Sequence, residues 1–401
     1  MKVKVKKTSD IILVLFLLSI QVFTNGSTIM KAMKLVCVSL TFILIIFKRN
    51  IKWNNYLSWI FLNTILAMFS YFWALSKEYA LDGLKTVLLN SLCLFSIIQL
   101  VYMSKDWRLA VYNSLSIGPI LRFLVLIFQY GFSVFGGLRN LEATGYNSIG
   151  MFAGLGVSFS LLVYVYYQQK YGLLKKLVLF RFFLNSIIVA LSMSRKAFMY
   201  LVIPIAIFCL LSSRNYIKAF RNVILVCFGC IAVYFAVLNI PFLYNYIGAG
   251  LSSLFKFWKK SNGDISAAGR MTRILFGLKW FNKNPLLGYG VMNYNYLFGS
   301  VQPFSDMVIA DNNYIDLLVN YGVVGFVIYY SIHVISLVYA LKNRRRDLKQ
   351  QSMAFAILLT LLICDYGSSS YIYLHCQLYL AIVILILYEG ERKIRLKNIK
   401  F

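Results

Sequence analysis

The sequence predicts an all-α integral membrane protein. Of its 401 residues, 60% are hydrophobic and only 13% are charged, and the mean hydropathy is +0.72. A soluble domain carries roughly twice that charged fraction. Apolar runs of about 20 residues, the length that crosses a bilayer as a helix, recur along the whole chain. No Gly/Ser linker or low-complexity tract divides it, so we expect a single polytopic domain over residues 1–401.

The apolar runs predict about twelve transmembrane helices. The first run follows a basic N-terminal segment, as in a signal peptide, but no small-residue cleavage site comes after it, so we interpret it as a helix. Two predicted helices, 178–193 and 197–212, are short and flank a charged pair, and one of them is a candidate for a broken or re-entrant helix. The predicted spans are 11–28, 33–47, 56–75, 84–103, 109–132, 147–167, 178–193, 197–212, 222–240, 314–341, 352–371 and 374–388.

The distribution of positive charge predicts the topology. The chain has 41 Lys and Arg residues against 13 Asp and Glu residues. With the N-terminus inside, most basic residues fall in cytoplasmic loops, as the positive-inside rule requires. This arrangement puts both termini in the cytoplasm and a large loop, about 241–313, outside. The excess of basic residues is therefore explained by the membrane topology and does not indicate a nucleic-acid partner. The short outer loops hold only Lys31, Lys34, Lys77, Lys85, Arg139, Arg195 and Lys196.

The loop 241–313 is the only long polar segment, and we expect any chemistry there. It is predicted to contain short amphipathic helices, since Met271, Ile274, Leu275 and Leu278 recur with helical spacing. Arg270 and Arg273 lie one turn apart on another edge of the same helix. One interpretation is an interfacial helix whose basic residues face lipid headgroups. The other is a pair of guanidinium groups that bind a diphosphate.

Two further features deserve functional hypotheses. Asp311, Asn312 and Asn313 precede the next apolar run, and each is a good helix N-cap, so capping is the structural alternative to a chemical role. Arg122 lies near the centre of its predicted span, and an ionisable group at membrane depth is a functional candidate by default. The seven cysteines lie almost entirely in apolar runs and do not suggest a disulfide framework. No metal or cofactor motif is present, so we expect neither a metal nor a cofactor.

The order of these motifs resembles the O-antigen polymerase and O-antigen ligase superfamily. Arg270 precedes the turn Pro285–Gly290 as the superfamily's arginine precedes its Pro-Leu-Leu-Gly-x-Gly turn. The stretch Asp311–Ile315 is similar to the start of the superfamily's next helix, and Tyr321–Gly325 carries its glycine pair. Upstream, Leu191–Ala197 resembles a Ser-Arg motif at the outer end of a helix. The segment Arg139–Gly150, with Asn147, is similar to an Arg…Pro-Asn segment but lacks the proline.

The resemblance implies a bacterial glycosyltransferase of the cytoplasmic membrane, most similar to the capsular and O-antigen polysaccharide polymerases. It would join oligosaccharide repeat units carried on undecaprenyl diphosphate, at the outer face. Membrane lipid is a further partner, and a chain-length regulator and a flippase are candidate partners. The predicted catalytic residues are Asp311, Arg270 and Arg195. The predicted substrate-binding residues are Arg273, Arg139, Asn312, Asn313, Tyr314 and Arg122.

Three alternatives stay open at this point. An O-antigen ligase uses the same donor, but that branch has a His where this chain has Asp311, which argues against it. A lipid-linked oligosaccharide flippase or transporter would be expected to show internal repeats and broken helices in two matching halves, and no such repeat is evident in the sequence. A peptidoglycan polymerase of the shape, elongation or sporulation type shares the lipid-diphosphate chemistry, but the spacing from Arg270 to Pro285 fits it less well.

Overall fold

A computed structural model describes residues 2–23, 27–49, 51–141, 145–167, 172–213, 265–301, 309–343 and 348–398, with scattered positions between 215 and 241. Regular structure in these ranges is helical. Most of the predicted span 222–240, and residues 242–264 and 302–308 of the predicted outer loop, lie outside the described residues. The helices are α1 (Lys2–Val22), α2 (Thr28–Lys48), α3 (Asn55–Ser70), α4 (Lys77–Met103), α5 (Trp107–Tyr130), α6 (Tyr146–Tyr167), α7 (Gly172–Leu191), α8 (Arg195–Leu211), α9 (Ile265–Phe281), α10 (Asn293–Val301), α11 (Asn313–Asn343), α12 (Leu348–Cys364) and α13 (Leu374–Asn398).

Six of the described helices are long and apolar enough to cross a membrane, namely α2, α4, α5, α6, α11 and α12. The prediction of a multi-pass, all-α membrane protein is thereby confirmed. The count of about twelve spans and the outer position of 241–313 stay predictions. The described part of that segment holds α9, the amphipathic helix expected from the sequence, and the shorter α10.

Several helix boundaries differ from the predicted ones. Helices α7 and α8 are each continuous, and a tight turn through Met193 (φ 52°) joins them, so neither is broken. The predicted span 352–371 ends as an α-helix at Cys364. Beyond it, Gly367 and a run of serines form short 3₁₀ turns, because Gly and Ser are poor helix formers that favour turns.

Helix α13 is the centre of the packing. Between Leu378 and Leu387 each of its side chains is at most 4% exposed, so it is surrounded on every face. The peripheral helix α2 is the opposite case, with Leu35 and Ile46 about two-thirds exposed, at 68% and 71%. A helix that is apolar all round and packed on one side only is typical of a lipid-facing helix.

Hydrogen bonds join loops that the charge distribution predicts to be on the same side. At one end, the backbone N–H of Lys105 donates to the carboxylate of Asp10 at 3.2 Å. At the other end, the backbone N–H of Ser76 donates to Asn293 Oδ1 at 2.7 Å. The predicted alternation of loops is therefore consistent with the packing, and the assignment of either end to the cytoplasm stays a prediction.

Helix α11 is interrupted at Gly322, whose φ of 63° and ψ of −165° are not helical. This break frees backbone groups on both sides of it. The turn Pro285–Gly290, which we name the turn wedge, fills the break. The N–H groups of Tyr289 and Gly290 donate to the carbonyls of Val319 and Asn320, and the N–H of Val323 donates to the Pro285 carbonyl at 2.8 Å.

The turn wedge needs glycine for close approach. Gly288 has a φ of 64°, and a Cβ added to it would lie 2.5 Å from the Val319 carbonyl oxygen. A side chain at this position would therefore push the turn wedge out of the break. Because the turn wedge follows α9 and precedes α10, its bonds to α11 fix both helices beside the start of α11.

Candidate functional site

A cavity of about 830 Å³ lies at the end of the bundle where the predicted outer loops meet. Its size is in the range of small-molecule sites. Its walls come from the start of α6, the first turn of α8, α9, the residues just before α11, and the link between α12 and α13. The polar lining residues are Tyr146, Asn147, Ser148, Lys196, Arg270, Arg273, Asp311, Ser368, Ser369, Tyr373 and His375.

Helix α9 presents its two arginines to this cavity. Arg270 and Arg273 both line it, whereas Met271 and Leu275 on another edge are 48% and 55% exposed. Ile274 packs against the buried cluster around Tyr294 and does not join the exposed edge. Of the two interpretations of α9, diphosphate binding requires both arginines to face a cavity, and both do. The apolar edge is still free to contact lipid.

Asp311 faces the cavity, and the adjacent Asn312 caps α11. The Oδ1 atom of Asn312 accepts a hydrogen bond from the backbone N–H of Ile315 at 3.1 Å, the geometry of an N-cap. Asp311 has a φ of 51°, and its carboxylate forms an ion pair with Arg273. The capping role considered for Asp311 thus falls on Asn312.

The first turn of α8 reaches the cavity through Lys196. Its Nζ donates to the Gly367 carbonyl at 2.9 Å, in the link between α12 and α13. Burial lowers the pKa of this ammonium. Arg195, which the sequence analysis selected, does not line the cavity. Adjacent residues on a helix point about 100° apart, so only one of the two faces it. Because α8 is apolar around its circumference, the sequence carries no signal of which one.

Asn313 and Tyr314 hold α11 in place. Asn313 is fully buried, donates from Nδ2 to the Tyr330 hydroxyl at 2.8 Å, and accepts from the Tyr371 N–H at 2.9 Å. The hydroxyl of Tyr314 donates to the Leu362 carbonyl at 2.6 Å. Neither residue lines the cavity, so the geometry brings neither to the position predicted for a substrate contact.

Arg139 and Arg122 do not line the cavity either. Arg139 is exposed in the short turn before α6. Arg122 is 3% exposed, and its guanidinium carbon lies 5.7 Å from the centre of the Phe152 ring. A Cβ added to Gly145, which does line the cavity, would lie 3.0 Å from Arg122 Nη2. Arg122 is therefore directly behind the wall.

The sequence analysis missed two groups here besides Lys196. His375 lines the cavity, with its ring held edge-on to Phe152 and stacked on Tyr373 at centroid distances of 5.2 and 5.4 Å. Asp316 is buried one turn beyond Asn312 and accepts from Asn320 Nδ2 at 2.7 Å. Asp316 does not line the cavity, and in the sequence it directly follows the matched stretch Asp311–Ile315. His375 had no signal in the sequence, because it is isolated in an apolar run.

The cavity has an excess of positive charge. Among the described residues that line it, Lys196, Arg270 and Arg273 are cationic, and Asp311 is the one carboxylate. A concave surface lined by one sign of charge concentrates ligands of the other sign. Guanidinium pairs match phosphate oxygens in particular. Within the described ranges, no group of three or more His, Cys, Asp or Glu residues is placed to bind a metal ion.

Comparison with known proteins adds a family to this geometry. Residues 180–330 match the O-antigen ligase family. This finding confirms the resemblance to the O-antigen ligase and polymerase superfamily that the motifs indicate. No curated protein matches the chain. The O-antigen ligase segment contains Lys196, Arg270, Arg273 and Asp311, so every charged residue of the cavity named above falls inside it. The match supports a membrane protein of the glycan ligase or polymerase type.

Proposed function

We propose that the chain is a polysaccharide polymerase that joins oligosaccharide repeat units carried on undecaprenyl diphosphate. The observation that carries the proposal is the cavity in which Arg270 and Arg273 of α9 face Asp311 at the end of the bundle. It offers cations for a diphosphate and a carboxylate beside them, at the level where a lipid-linked substrate would present its headgroup. In this proposal the cavity opens to the outer face of a bacterial cytoplasmic membrane, and both termini are cytoplasmic.

The reaction needs two functions that this arrangement can provide. A hydroxyl of the acceptor repeat unit attacks the anomeric carbon of the donor chain, and a glycosidic bond forms. The bond from that carbon to the diphosphate oxygen breaks, and the lipid diphosphate leaves with the electron pair. Arg270 and Arg273 stabilise the charge that develops on the leaving group. Asp311 accepts the proton of the attacking hydroxyl, a role that a carboxylate can perform at hydrogen-bond distance.

The ion pair between Arg273 and Asp311 fits this division of roles. Both side chains are partly exposed to the cavity, at 27% and 31%. A diphosphate arriving at Arg273 would compete for its guanidinium and release the carboxylate toward the acceptor. Arg195 does not line the cavity, and its proposed catalytic part is to add positive charge beside Lys196 at the start of α8. Asn312, Asn313 and Tyr314 contribute through the start of α11, and Arg122 supports the wall at Gly145. Arg139, on the exposed turn before α6, would contact the glycan.

The closest competing function is that of an O-antigen ligase, which uses the same donor and a different acceptor. The ligase family match favours it, whereas Asp311 in place of the ligase branch's His favours the polymerase. A lipid-linked oligosaccharide flippase has less support. The charged groups are gathered at one end of the bundle, whereas a transporter places its substrate site near the middle of the membrane.

The test is a reconstituted reaction. Purified protein in lipid vesicles is given a lipid-linked repeat unit, and the products are resolved by length. We expect lipid-linked chains of two or more repeats. Transfer to a separate lipid acceptor without lengthening would identify a ligase, and movement across the vesicle membrane without a new bond would identify a flippase.

The outer position of this part of the chain is tested separately by cysteine labelling. In intact cells, a cysteine at the exposed Asn282, in a background lacking native cysteines, should label from outside.

A further inference from the structure

Arg195 and Lys196 are adjacent cations at the start of α8, and Lys196 lines the cavity. We propose that Lys196 binds the diphosphate of the lipid-linked donor, from the wall of the cavity that α8 forms, as a third phosphate ligand beside Arg270 and Arg273. The proposal rests on the function proposed above. It gives a contact with the donor to Lys196, whereas the sequence analysis selected the neighbouring Arg195 as a catalytic residue.

The position of Lys196 is fixed by the packing around it. The Ser194 hydroxyl caps α8 by accepting from the Ala197 N–H at 3.4 Å, and it donates to Asn147 Oδ1 at 2.8 Å. Gly150 of α6 lets the two helices touch, since a Cβ there would lie 2.6 Å from the Ala197 Cβ. The first turn of α8 is therefore locked to the start of α6, and Lys196 is directed into the cavity.

The ammonium of Lys196 has capacity for an anion. It carries three donors, and one of them reaches the Gly367 carbonyl. Among the described ion pairs none includes Lys196, although it lies within electrostatic reach of Asp311 and Arg270. Burial disfavours the charged ammonium, so an anion in the cavity would restore the stability that desolvation removes. The N-terminal end of α8 adds a partial positive charge on the same side.

The arrangement favours a diphosphate. Lys196 is on α8, whereas Arg270 and Arg273 are on α9, so the cations approach the ligand from two different helices. Two linked phosphates can be bound by both helices at once. A single phosphate offers fewer oxygens to the same set of donors. We therefore expect undecaprenyl diphosphate to bind more tightly than undecaprenyl monophosphate, and Lys196 to account for part of that difference.

The first experiment measures affinity. Full-length protein in lipid nanodiscs is titrated with undecaprenyl diphosphate, undecaprenyl monophosphate and inorganic pyrophosphate. Lys196→Met should weaken binding of the lipid diphosphate by about tenfold or more, since charge-assisted hydrogen bonds are the strong ones. Lys196→Arg should retain most of the affinity. The matched control is Lys85→Met, because Lys85 is an exposed lysine paired with Asp82 at 3.1 Å. Affinity unchanged within about twofold in Lys196→Met would overturn the proposal.

The second experiment uses the unaltered protein, so it does not depend on whether a variant folds. Lysines are acylated with a water-soluble reagent, and the extent of reaction at Lys196 is read by peptide mass spectrometry. Saturating undecaprenyl diphosphate should suppress acylation of Lys196 and leave that of Lys85 unchanged. Equal acylation with and without the lipid diphosphate, or no acylation in either state, would refute the contact. Protection by inorganic pyrophosphate at concentrations at which undecaprenyl diphosphate gives none would identify a site for a free anion and refute the lipid donor as its ligand.

The outcomes separate this inference from the function on which it rests. A protein that lengthens chains normally when Lys196 is Met, with unchanged affinity, refutes the inference and leaves the polymerase. A protein that binds lipid diphosphate through Lys196 but lengthens no chain refutes the polymerase and leaves the site.

Discussion

The turn wedge and the cavity are built from neighbouring motifs, yet their polar groups are used in opposite ways. At the turn wedge, the backbone groups freed by the break at Gly322 are bonded to residues 285–290. In the cavity, Lys196 and the arginine pair of α9 present their charges to an open volume of about 830 Å³. One region is complete without a ligand, and the other has a charge excess that only a ligand can balance.

This contrast separates the residues that hold the shape from those that face a substrate. Gly288, Gly322 and Asn312 belong to the first group, because their contacts are with the backbone of the chain itself. Arg270 and Asp311 belong to the second group. We therefore expect changes in the first group to lower stability, and changes in the second to lower the reaction rate in a protein that still folds.

The largest effect is expected from Gly322→Ala. Gly322 has a φ of 63° and ψ of −165°, a conformation that is essentially restricted to glycine, and its added Cβ would lie 2.7 Å from the Leu287 nitrogen. Strain and clash together should cost about 3 kcal/mol and leave little folded protein. The measurement is the yield and thermal midpoint of the purified variant. Gly299→Ala is the control, since no described atom lies within 4 Å of its added Cβ.

A smaller effect, on rate alone, is expected from Arg270→Lys. Lysine retains the charge but cannot form the two-pronged contact of a guanidinium with phosphate oxygens. Chain extension should fall about tenfold, the loss of one charge-assisted contact, with an unchanged thermal midpoint. Lys279→Met is the comparison, because Lys279 is an exposed cation of the same helix that does not line the cavity. An Arg270→Lys protein with full activity would return α9 to the interfacial interpretation.

The smallest effect is expected at the helix cap. Asn312→Ala removes the acceptor for the Ile315 N–H and should lower stability by about 1 kcal/mol. Asp311→Asn is the matched variant, because Asn also tolerates a positive φ and no cap is lost. Unfolding in denaturant compares the two. If Asn312→Ala were as stable as Asp311→Asn and the wild type, Asn312 would not be the cap and the contrast drawn here would fail at this position.

The sequence predicted most of the fold, because long apolar runs are sufficient to indicate membrane helices. It also predicted that Arg270 and Asp311 belong to one site, through the order of the motifs. It could not choose among Asp311, Asn312 and Asn313 as the cap, since all three residue types are good caps and the choice depends on the φ of Asp311. It could not choose between Arg195 and Lys196, because the direction of a side chain on α8 depends on how α8 packs against α6.

The hydrogen bonds between the turn wedge and α11 could not be predicted from the sequence either. The sequence predicted a turn at Pro285–Gly290 and a helix through Tyr321–Gly325. Nothing in either stretch indicated that the backbone groups of one form hydrogen bonds with those of the other. That pairing depends on the register between two segments about one helix apart in the chain. The break at Gly322 within a long apolar run is a further consequence, since the run by itself predicts an uninterrupted helix.

The central claim is that the carboxylate of Asp311 takes part in the reaction, and Asp311→Asn tests it most directly. The substitution removes the charge, keeps the size of the side chain and spares the cap at Asn312. The measurement is the rate at which the purified variant extends a lipid-linked repeat unit, with Asp82→Asn, an exposed carboxylate, as control. We expect extension to fall by a factor on the order of one hundred or more at unchanged stability. Extension at the wild-type rate would contradict the account.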